Sequence, residues 1–463
     1  MKTMARKTIS KLAILGGKPV RKKSFRERKT MGAAELKSVK RVLDSDVLSG
    51  FLGAAGSLFN GGKEVRGFEN AWASKFGFKH ALSLNSASTA LMTAVGAAGI
   101  GPGDEVIVSP YSMSISATAA LFYGAIPIFA DLDPDNFCLD PKSIESRITE
   151  RTKAIIVVHL FGHPADMDAI MAIAKSRGLL VIEDAAQAPG VQYKGRYVGG
   201  IGNIGCFSLN YHKHIHTGEG GLMVTNDDEL ALRAQFIRNH GENAYEAYGV
   251  ENLSNVIGSN YRLTELQAAI GTEQLKKLDD ILLHRQELAS YLASRLEAIK
   301  GLKLQKIPAH HTHAYYMFPM LYNEKVFGVG RTHFLKAVSA ELPKPASWET
   351  TPLAEGYVKP LYLNRIYQNK IAIGGKGFPF NYNKGIEYDY SKGICPVVER
   401  LYEKEMMYSP LVREPLTIED MKDFADAFEK VTENINDLKD NVDNKELQFY
   451  DAIAAINETA KKE

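Results

Sequence analysis

The chain has 463 residues, 45% of them hydrophobic and 24% charged, the balance of an average soluble protein but more chain than one ordinary core holds. A net charge of +2 provides no global field to recruit nucleic acid or an anionic membrane. Three cysteines, Cys138, Cys206 and Cys395, are far apart, odd in number and without metal-ligand spacing, which points to a reducing cytoplasm and no disulfide.

In chain order, the basic N-terminus carries only the short apolar run "LAIL", too little for a signal-peptide core. The stretch "SGFLGAAGSLFNGG" (49–62) is rich in glycine and is expected to be a mobile loop. It narrowly misses a nucleotide P-loop, because the spacing fails and no Ser or Thr follows Lys63. Five near-continuous apolar runs follow: "HALSLN" (80–85), "DEVIVS" (104–109), "IPIFAD" (126–131), "KAIIVV" (153–158) and "LLVIED" (179–184). Helix-length segments such as 88–99 and 166–178 lie between them, the second closing on a glycine stop signal.

Strands alternating with helices predict βαβ crossovers and a mostly parallel, doubly wound sheet, with ligands beyond the carboxyl ends of its strands. The uncharged stretch 109–130 is broken by Ser, Gly and Pro and reads as loop, helix and strand of that core, not as a membrane span. Residues 264–299 predict a long helix, a bridge to a second region holding the strand "AYYMFPMLY" (314–322) and a final helix. The expected division is a large domain over 1–280 with an N-terminal arm, a smaller α+β domain over 281–440 and a charged amphipathic tail over 441–463.

The most informative stretch is "CFSLNYHKHIHTGEGG" (206–221), where Lys213 sits among His212, His214 and His216. On a strand the three histidines would share one face and could hold zinc, but the lysine between them is no ligand and no acidic or cysteine ligand is close by. The plain alternative is an exposed basic turn. A third reading is a lysine placed to form a Schiff base with a carbonyl cofactor.

Pyridoxal phosphate makes three further demands: a carboxylate for the ring nitrogen, N–H groups and hydroxyls for the phosphate, and a flat or apolar surface for the ring. Asp184 ends an apolar strand and can serve as the carboxylate, although a helix-capping Asp gives the same motif. Gln187 shares its side if a helical turn follows. In "SLNSASTALMTA" the Ala87 N–H and the Ser88 hydroxyl would meet an anion at a helix start, a position where Ser is equally a plain N-cap. Ser208 adds a second hydroxyl. The conjunction within one βαβ layout favours the cofactor over any single alternative.

The motifs "NSASTAL", "GIGPGDEVIVSPYS", "IEDAAQA", "FSLNYHKHIHTGEGG", "IRNHG" and "NYRLTELQAAIGTEQLKKLD" resemble those of DegT/StrS-type sugar aminotransferases, of the fold type I pyridoxal-phosphate superfamily. The resemblance spans roughly residues 12–431, from "GGKPVR" to "SKGICPVVERLYE". It implies that Lys213 carries the cofactor, that Asp184 partners the pyridine nitrogen and that Gln187 sits by the phenolic oxygen. Ala87, Ser88 and Ser208 then line the phosphate. Asn260 corresponds to a residue that reaches the phosphate of a neighbouring subunit, which implies a homodimer with shared sites. "LAILGGKPVR" and "SGFLG" are similar to the branch containing scyllo-inosose and aminoshikimate-type enzymes.

The implied reaction moves an amino group from glutamate or glutamine to a keto sugar, nucleotide-linked or not, or to a keto-cyclitol, in amino-sugar synthesis for a polysaccharide or natural product. Two rivals remain: a dehydratase of the same family, whose relatives carry His in the lysine slot, and a non-catalytic regulatory protein on the same scaffold. Two departures stand out. Relatives commonly read Pro-Tyr-Thr-Trp where this chain reads Pro110-Tyr111-Ser112-Met113, which places Met113 on the ring face and predicts weaker cofactor retention. The lead-in Tyr211-His212-Lys213-His214 replaces a small or proline-containing one. Substrate selection is expected from loops 49–62, 239–260 and 344–384.

Overall fold

A computed structural model of the chain describes residues 10–241, 244–343 and 351–441; the tail expected at 441–463 lies, from 442 on, outside the described residues. The central sheet contains β1 (His80–Leu84), β2 (Glu105–Val108), β3 (Ile126–Phe129), β4 (Thr152–Val158) and β5 (Leu180–Asp184). A small hairpin, β6 (Gln192–Tyr193) and β7 (Arg196–Tyr197), stands apart, and β8 (Ile204–Ser208) and β9 (Gly221–Thr225) complete the sheet. The order is β1-β9-β8-β5-β4-β2-β3, and β9 alone runs antiparallel to its neighbours.

This is the doubly wound α/β architecture expected from the apolar runs. β2, β8 and β9 are buried along their whole length, as covering both faces of a parallel sheet requires. The chain winds from β2 to β3 one way and from β4 through β5 to β8 the other. The topological switch therefore lies between β2 and β4, and the loops at their carboxyl ends open the crevice where such folds bind ligands.

A second sheet holds β10 (Leu302–Leu304), β11 (Phe318–Tyr322), β12 (Ala354–Glu355) and β13 (Met406–Ser409), antiparallel in the order β10-β11-β13-β12. It packs with helices Leu278–Leu296, Arg331–Ala340 and Ile418–Glu433 around a separate core of Met320, Phe334, Phe424 and Phe428. Leu12 and Phe25 of the N-terminal arm are buried in this second core. Residues 361–401 return to the first: the rings of Tyr362, Tyr367 and Tyr390 lie 5.6, 5.0 and 5.8 Å from Phe129 on the edge strand β3. Tyr390 Oη also donates to the Pro127 carbonyl at 2.9 Å, so this segment covers an otherwise open sheet edge.

Three local expectations are revised. The helix over 264–299 is broken at Lys276–Lys277, where Lys277 Nζ turns aside to the Thr30 carbonyl at 2.7 Å. The first half of "AYYMFPMLY" is not strand, because Ala314 and Tyr316 donate their N–H groups to Gly162 and Phe161 of the large region. The glycine-rich loop 49–62 is irregular but anchored: Phe51 and Phe59 are buried, and Asn239 Nδ2 donates to the Leu52 carbonyl at 2.8 Å. The helix after it, Lys63–Phe76, has its N-terminus filled by the Glu265 carboxylate, which accepts from Gly62 N–H at 3.0 Å and Glu64 N–H at 2.7 Å. That closes the position a phosphate would need.

Candidate active site

The site is assembled where β1, β2, β5 and β8 end. Successive strand residues face opposite sides of a sheet, so Glu183 and Asp184 at the end of β5 part company. Glu183 points away from the crevice and accepts from the N–H groups of Gly199 and Ile201 at 2.7 and 2.8 Å. It also faces His159 Nε2 at 2.9 Å. Because His159 Nδ1 accepts the Ala165 N–H at 3.1 Å, the imidazole proton sits on Nε2 and is donated to Glu183.

Asp184 faces the crevice. It accepts the Ser116 hydroxyl at 2.7 Å and the Ala186 N–H at 3.2 Å. No helix follows it; residues 185–188 form a turn closed by Ala188 N–H to the Ala185 carbonyl, so the helix-cap alternative for Asp184 falls. Gln187 lies in that turn. Its Oε1 accepts the Phe161 N–H at 2.7 Å, which fixes the amide orientation and turns Nε2 toward Tyr357 Oη at 3.0 Å.

Lys213 sits in a loop between β8 and β9 whose ends are tied by Leu209 N–H to the Gly220 carbonyl and Thr217 N–H to the Leu209 carbonyl. The side chain is buried, 6% exposed, with Nζ 4.1 Å from the ring centroid of Tyr316. Burial lowers the Lys213 amine to about 8, against the opposing pull of the Asp184 charge. The lysine and the carboxylate are thus electrostatic neighbours in one enclosed crevice, and the exposed-turn reading does not hold.

Ala87 begins the helix Ala87–Ala97, whose N-cap is Ser86, not Ser88: Ser86 Oγ accepts the Thr89 N–H at 3.1 Å. The first helical N–H groups, those of Ala87 and Ser88, have no intrahelical acceptor. Ser208 pairs with Gly221 across the β8–β9 ladder, and a Cβ on Gly221 would lie 2.5 Å from the Ala87 nitrogen. The backbones therefore approach as only glycine allows, bringing Ser208 and the helix start into one corner. A buried amine beside a carboxylate, with open N–H groups at a helix start and a nearby hydroxyl, is the donor set that pyridoxal phosphate requires.

The remaining expected residues are placed less tightly. Ser88 is exposed, and Met113 is 59% exposed beyond β2. Asn260 is exposed too; its carbonyl accepts Asn85 Nδ2–H at 3.2 Å, just ahead of Ala87 in the same chain. The three histidines diverge because residues 209–216 are turn and bend rather than strand. His214 Nε2 meets the Ala314 carbonyl at 2.9 Å and His216 Nε2 meets Thr30 Oγ1 at 3.0 Å. The His212 ring lies 5.1 Å from Tyr211. Burial, aided by the Lys213 and Arg28 charges, lowers His212 to about 4. Among the described residues no three His, Cys, Asp or Glu side chains converge as a metal group.

Sequence reasoning missed Ser116, Tyr316 and Tyr357. Ser116 is one of several serines in an uncharged stretch, and the two tyrosines arrive from the second region through contacts no local pattern encodes. Tyr357 is enclosed by Tyr111, Phe161 and Tyr408 at centroid distances of 5.6, 4.8 and 5.5 Å.

Residues 39–370 match the model of the DegT/DnrJ/EryC1/StrS aminotransferase family, and the chain belongs to that family, whose members are pyridoxal-phosphate-dependent transaminases. It is 33% identical to L-glutamine:2-deoxy-scyllo-inosose aminotransferase of Streptomyces lividus over 92% of this chain and 99% of that protein. It is 40% identical to GDP-perosamine synthase of Caulobacter vibrioides over 57% of this chain and 70% of that protein. The aminotransferase from Psychrobacter cryohalolentis shares the fold with a TM-score of 0.74 and 31% identity, over 89% of this chain and all of that one. Among the described residues no helix is long and apolar enough to cross a membrane.

Proposed function

We propose that the chain transfers an amino group from glutamine or glutamate to the ring ketone of a cyclitol or sugar, with Lys213 holding pyridoxal phosphate. The observation that carries this reading is Lys213, buried in the β8–β9 loop with its amine over the Tyr316 ring and within the electrostatic reach of Asp184 at the end of β5. The cofactor supplies an aldehyde that condenses with amines and a ring that takes up an electron pair while its nitrogen is protonated. Asp184 holds that proton, and Ser116 holds Asp184. Gln187 offers Nε2–H to the phenolic oxygen, and the Ala87 and Ser88 N–H groups with the Ser208 hydroxyl receive the phosphate. Freed when the amino donor takes its place, Lys213 Nζ would be the base that moves the proton from the donor's α-carbon to the cofactor's imine carbon, and would run the same shift in reverse to place a proton on the acceptor's carbon.

A cyclitol ketone ranks ahead of a nucleotide-linked sugar. The inosose aminotransferase aligns over nearly the whole chain, and the perosamine synthase over little more than half of it. A dehydratase is disfavoured because the slot holds Lys213, with no histidine in its place. A division near residue 280, crossed by the N-terminal arm and by residues 361–401, a homodimer in which Asn260 reaches the partner's phosphate site, and a cytoplasmic setting complete the proposal. The test is to load the protein with pyridoxal phosphate, add glutamine or glutamate, and follow bleaching of the visible band. Amine formation on scyllo-inosose is then compared with a panel of nucleotide-linked keto sugars. A band that never bleaches with either donor refutes transamination.

A further inference from the structure

Three carbonyls of the loop carrying Lys213 converge on one side chain. Arg28 Nη1 donates to the Tyr211 carbonyl at 3.1 Å, and Nη2 donates to the carbonyls of Lys213 and, at 2.7 Å, His214. Arg28 comes from the N-terminal arm and its side chain is only 5% exposed. Its Nε donates to Glu414 Oε1 at 2.7 Å. The other Glu414 oxygen accepts Arg285 Nε–H at 3.1 Å, and Arg285 Nη1 donates to the Tyr315 carbonyl at 3.1 Å. Tyr315 precedes Tyr316, whose ring lies under Lys213 Nζ.

One carboxylate thus joins two guanidinium clamps: one grips the backbone of the lysine, the other the backbone beside the ring the lysine rests on. The planar, five-donor guanidinium suits this task, since a lysine could not reach several carbonyls in fixed directions. The charges are matched to it. Burial raises Glu414, but Arg285 and Arg28 overcome that and hold its carboxyl at about 2, so the link between the clamps stays ionic.

We propose that Arg28 is a positioning residue for the amine chemistry: through Glu414 and Arg285 it fixes the direction in which Lys213 presents its amine over Tyr316. This rests on the reading of Lys213 as the cofactor-bearing residue. Nothing in the Arg28 chain itself touches the reacting atoms; it acts on the backbone that carries them. A misdirected nucleophile reacts slowly even when the protein is stable.

The test uses full-length protein stripped of cofactor and refilled with pyridoxal phosphate, comparing wild type with Arg28→Met and Arg28→Lys. The readouts are the rate at which the visible band appears, the site trapped by borohydride as mapped by mass spectrometry, the kcat and KM of the loaded enzyme, and the thermal midpoint. The expected result is at least about a tenfold slower appearance of the band in both variants, with kcat falling more than KM changes. Arg28→Lys keeps the charge and recovers thermal stability without recovering the rate. Either variant linking cofactor as fast as wild type overturns the proposal. If Arg28→Met does not fold, Arg28→Lys and Glu414→Gln decide by the same rate. If borohydride traps a residue other than Lys213 in wild type, the reading beneath the proposal fails; trapping at Lys213 with unaltered variant rates sinks the Arg28 role alone.

Discussion

Ser116 Oγ donates to Asp184 Oδ2 at 2.7 Å, and both side chains are buried. The bond runs from the helix after β2 to the end of β5, two elements that meet only because the sheet places β4 between their strands. A charge-assisted bond of this kind contributes roughly 1.5–3 kcal/mol and fixes the direction of the carboxylate. Ser116→Ala is expected to weaken pyridoxal phosphate binding about tenfold while leaving the fold intact. Fluorescence titration with the cofactor measures this; an unchanged dissociation constant shows that Ser116 plays no part.

Lys213→Ala should purify folded, bind pyridoxal phosphate only reversibly and lack the visible band of the lysine-linked cofactor. Turnover should fall by at least about a thousandfold, since both the covalent attachment and the base are lost. Normal turnover in this variant would falsify the assignment.

The nucleophile in cofactor capture is the neutral amine. Burial brings Lys213 to about 8, so the amine is mostly protonated below that pH and mostly free above it. The rate of band formation in cofactor-free protein is therefore expected to rise with pH and level off above about 9. A midpoint near the ordinary lysine value of 10.5 would show an amine that the fold leaves unperturbed.

Glu414 is held at about 2 against an ordinary 4.5, so the folded state binds its proton less readily than the unfolded chain does. Its contribution is fully present above the unfolded value and is lost as pH falls through the folded one, a window from about pH 4.5 to 2. At neutral pH the shift corresponds to about 3 kcal/mol, and at pH 3 to about 1 kcal/mol. Glu414→Gln should be destabilised accordingly at pH 7, with the gap to wild type narrowing at pH 3. Denaturant unfolding at both pH values reads it; a gap that stays constant excludes the ionic link.

Met113 is 59% exposed, just beyond β2, and the family resemblance implies that the cofactor ring rests on it. A thioether packs on a π face with less area and more freedom than an indole. Met113→Trp should therefore tighten cofactor binding by about three- to tenfold, a gain of about 1 kcal/mol. Equal dissociation constants by equilibrium dialysis would mean the ring rests on something else.

Much of the site was legible because covalent chemistry has demands that leave local marks. Asp184 and the small-residue turn before Ala87 sit at strand ends and Lys213 follows one by five residues, ahead of Gly-Glu-Gly-Gly, and periodicity finds strand ends. Ser88 shows the limit: the helix starts at the expected small-residue turn, but Ser86 is its N-cap and Ser88 is exposed. The three histidines show another. Their alternation suggested one face of a strand, and the loop between β8 and β9 gave each a different partner.

What the sequence alone determined was the alternation of strands and helices, a candidate lysine, a candidate carboxylate at a strand end, and the motifs that mark the family. Only the tertiary structure decided what holds that lysine in place. Arg28, Ser116, Glu414 and Tyr316 meet around the crevice from four parts of the chain. Such contacts follow from which strands pair and how the two cores pack, and they leave no periodic trace along the chain.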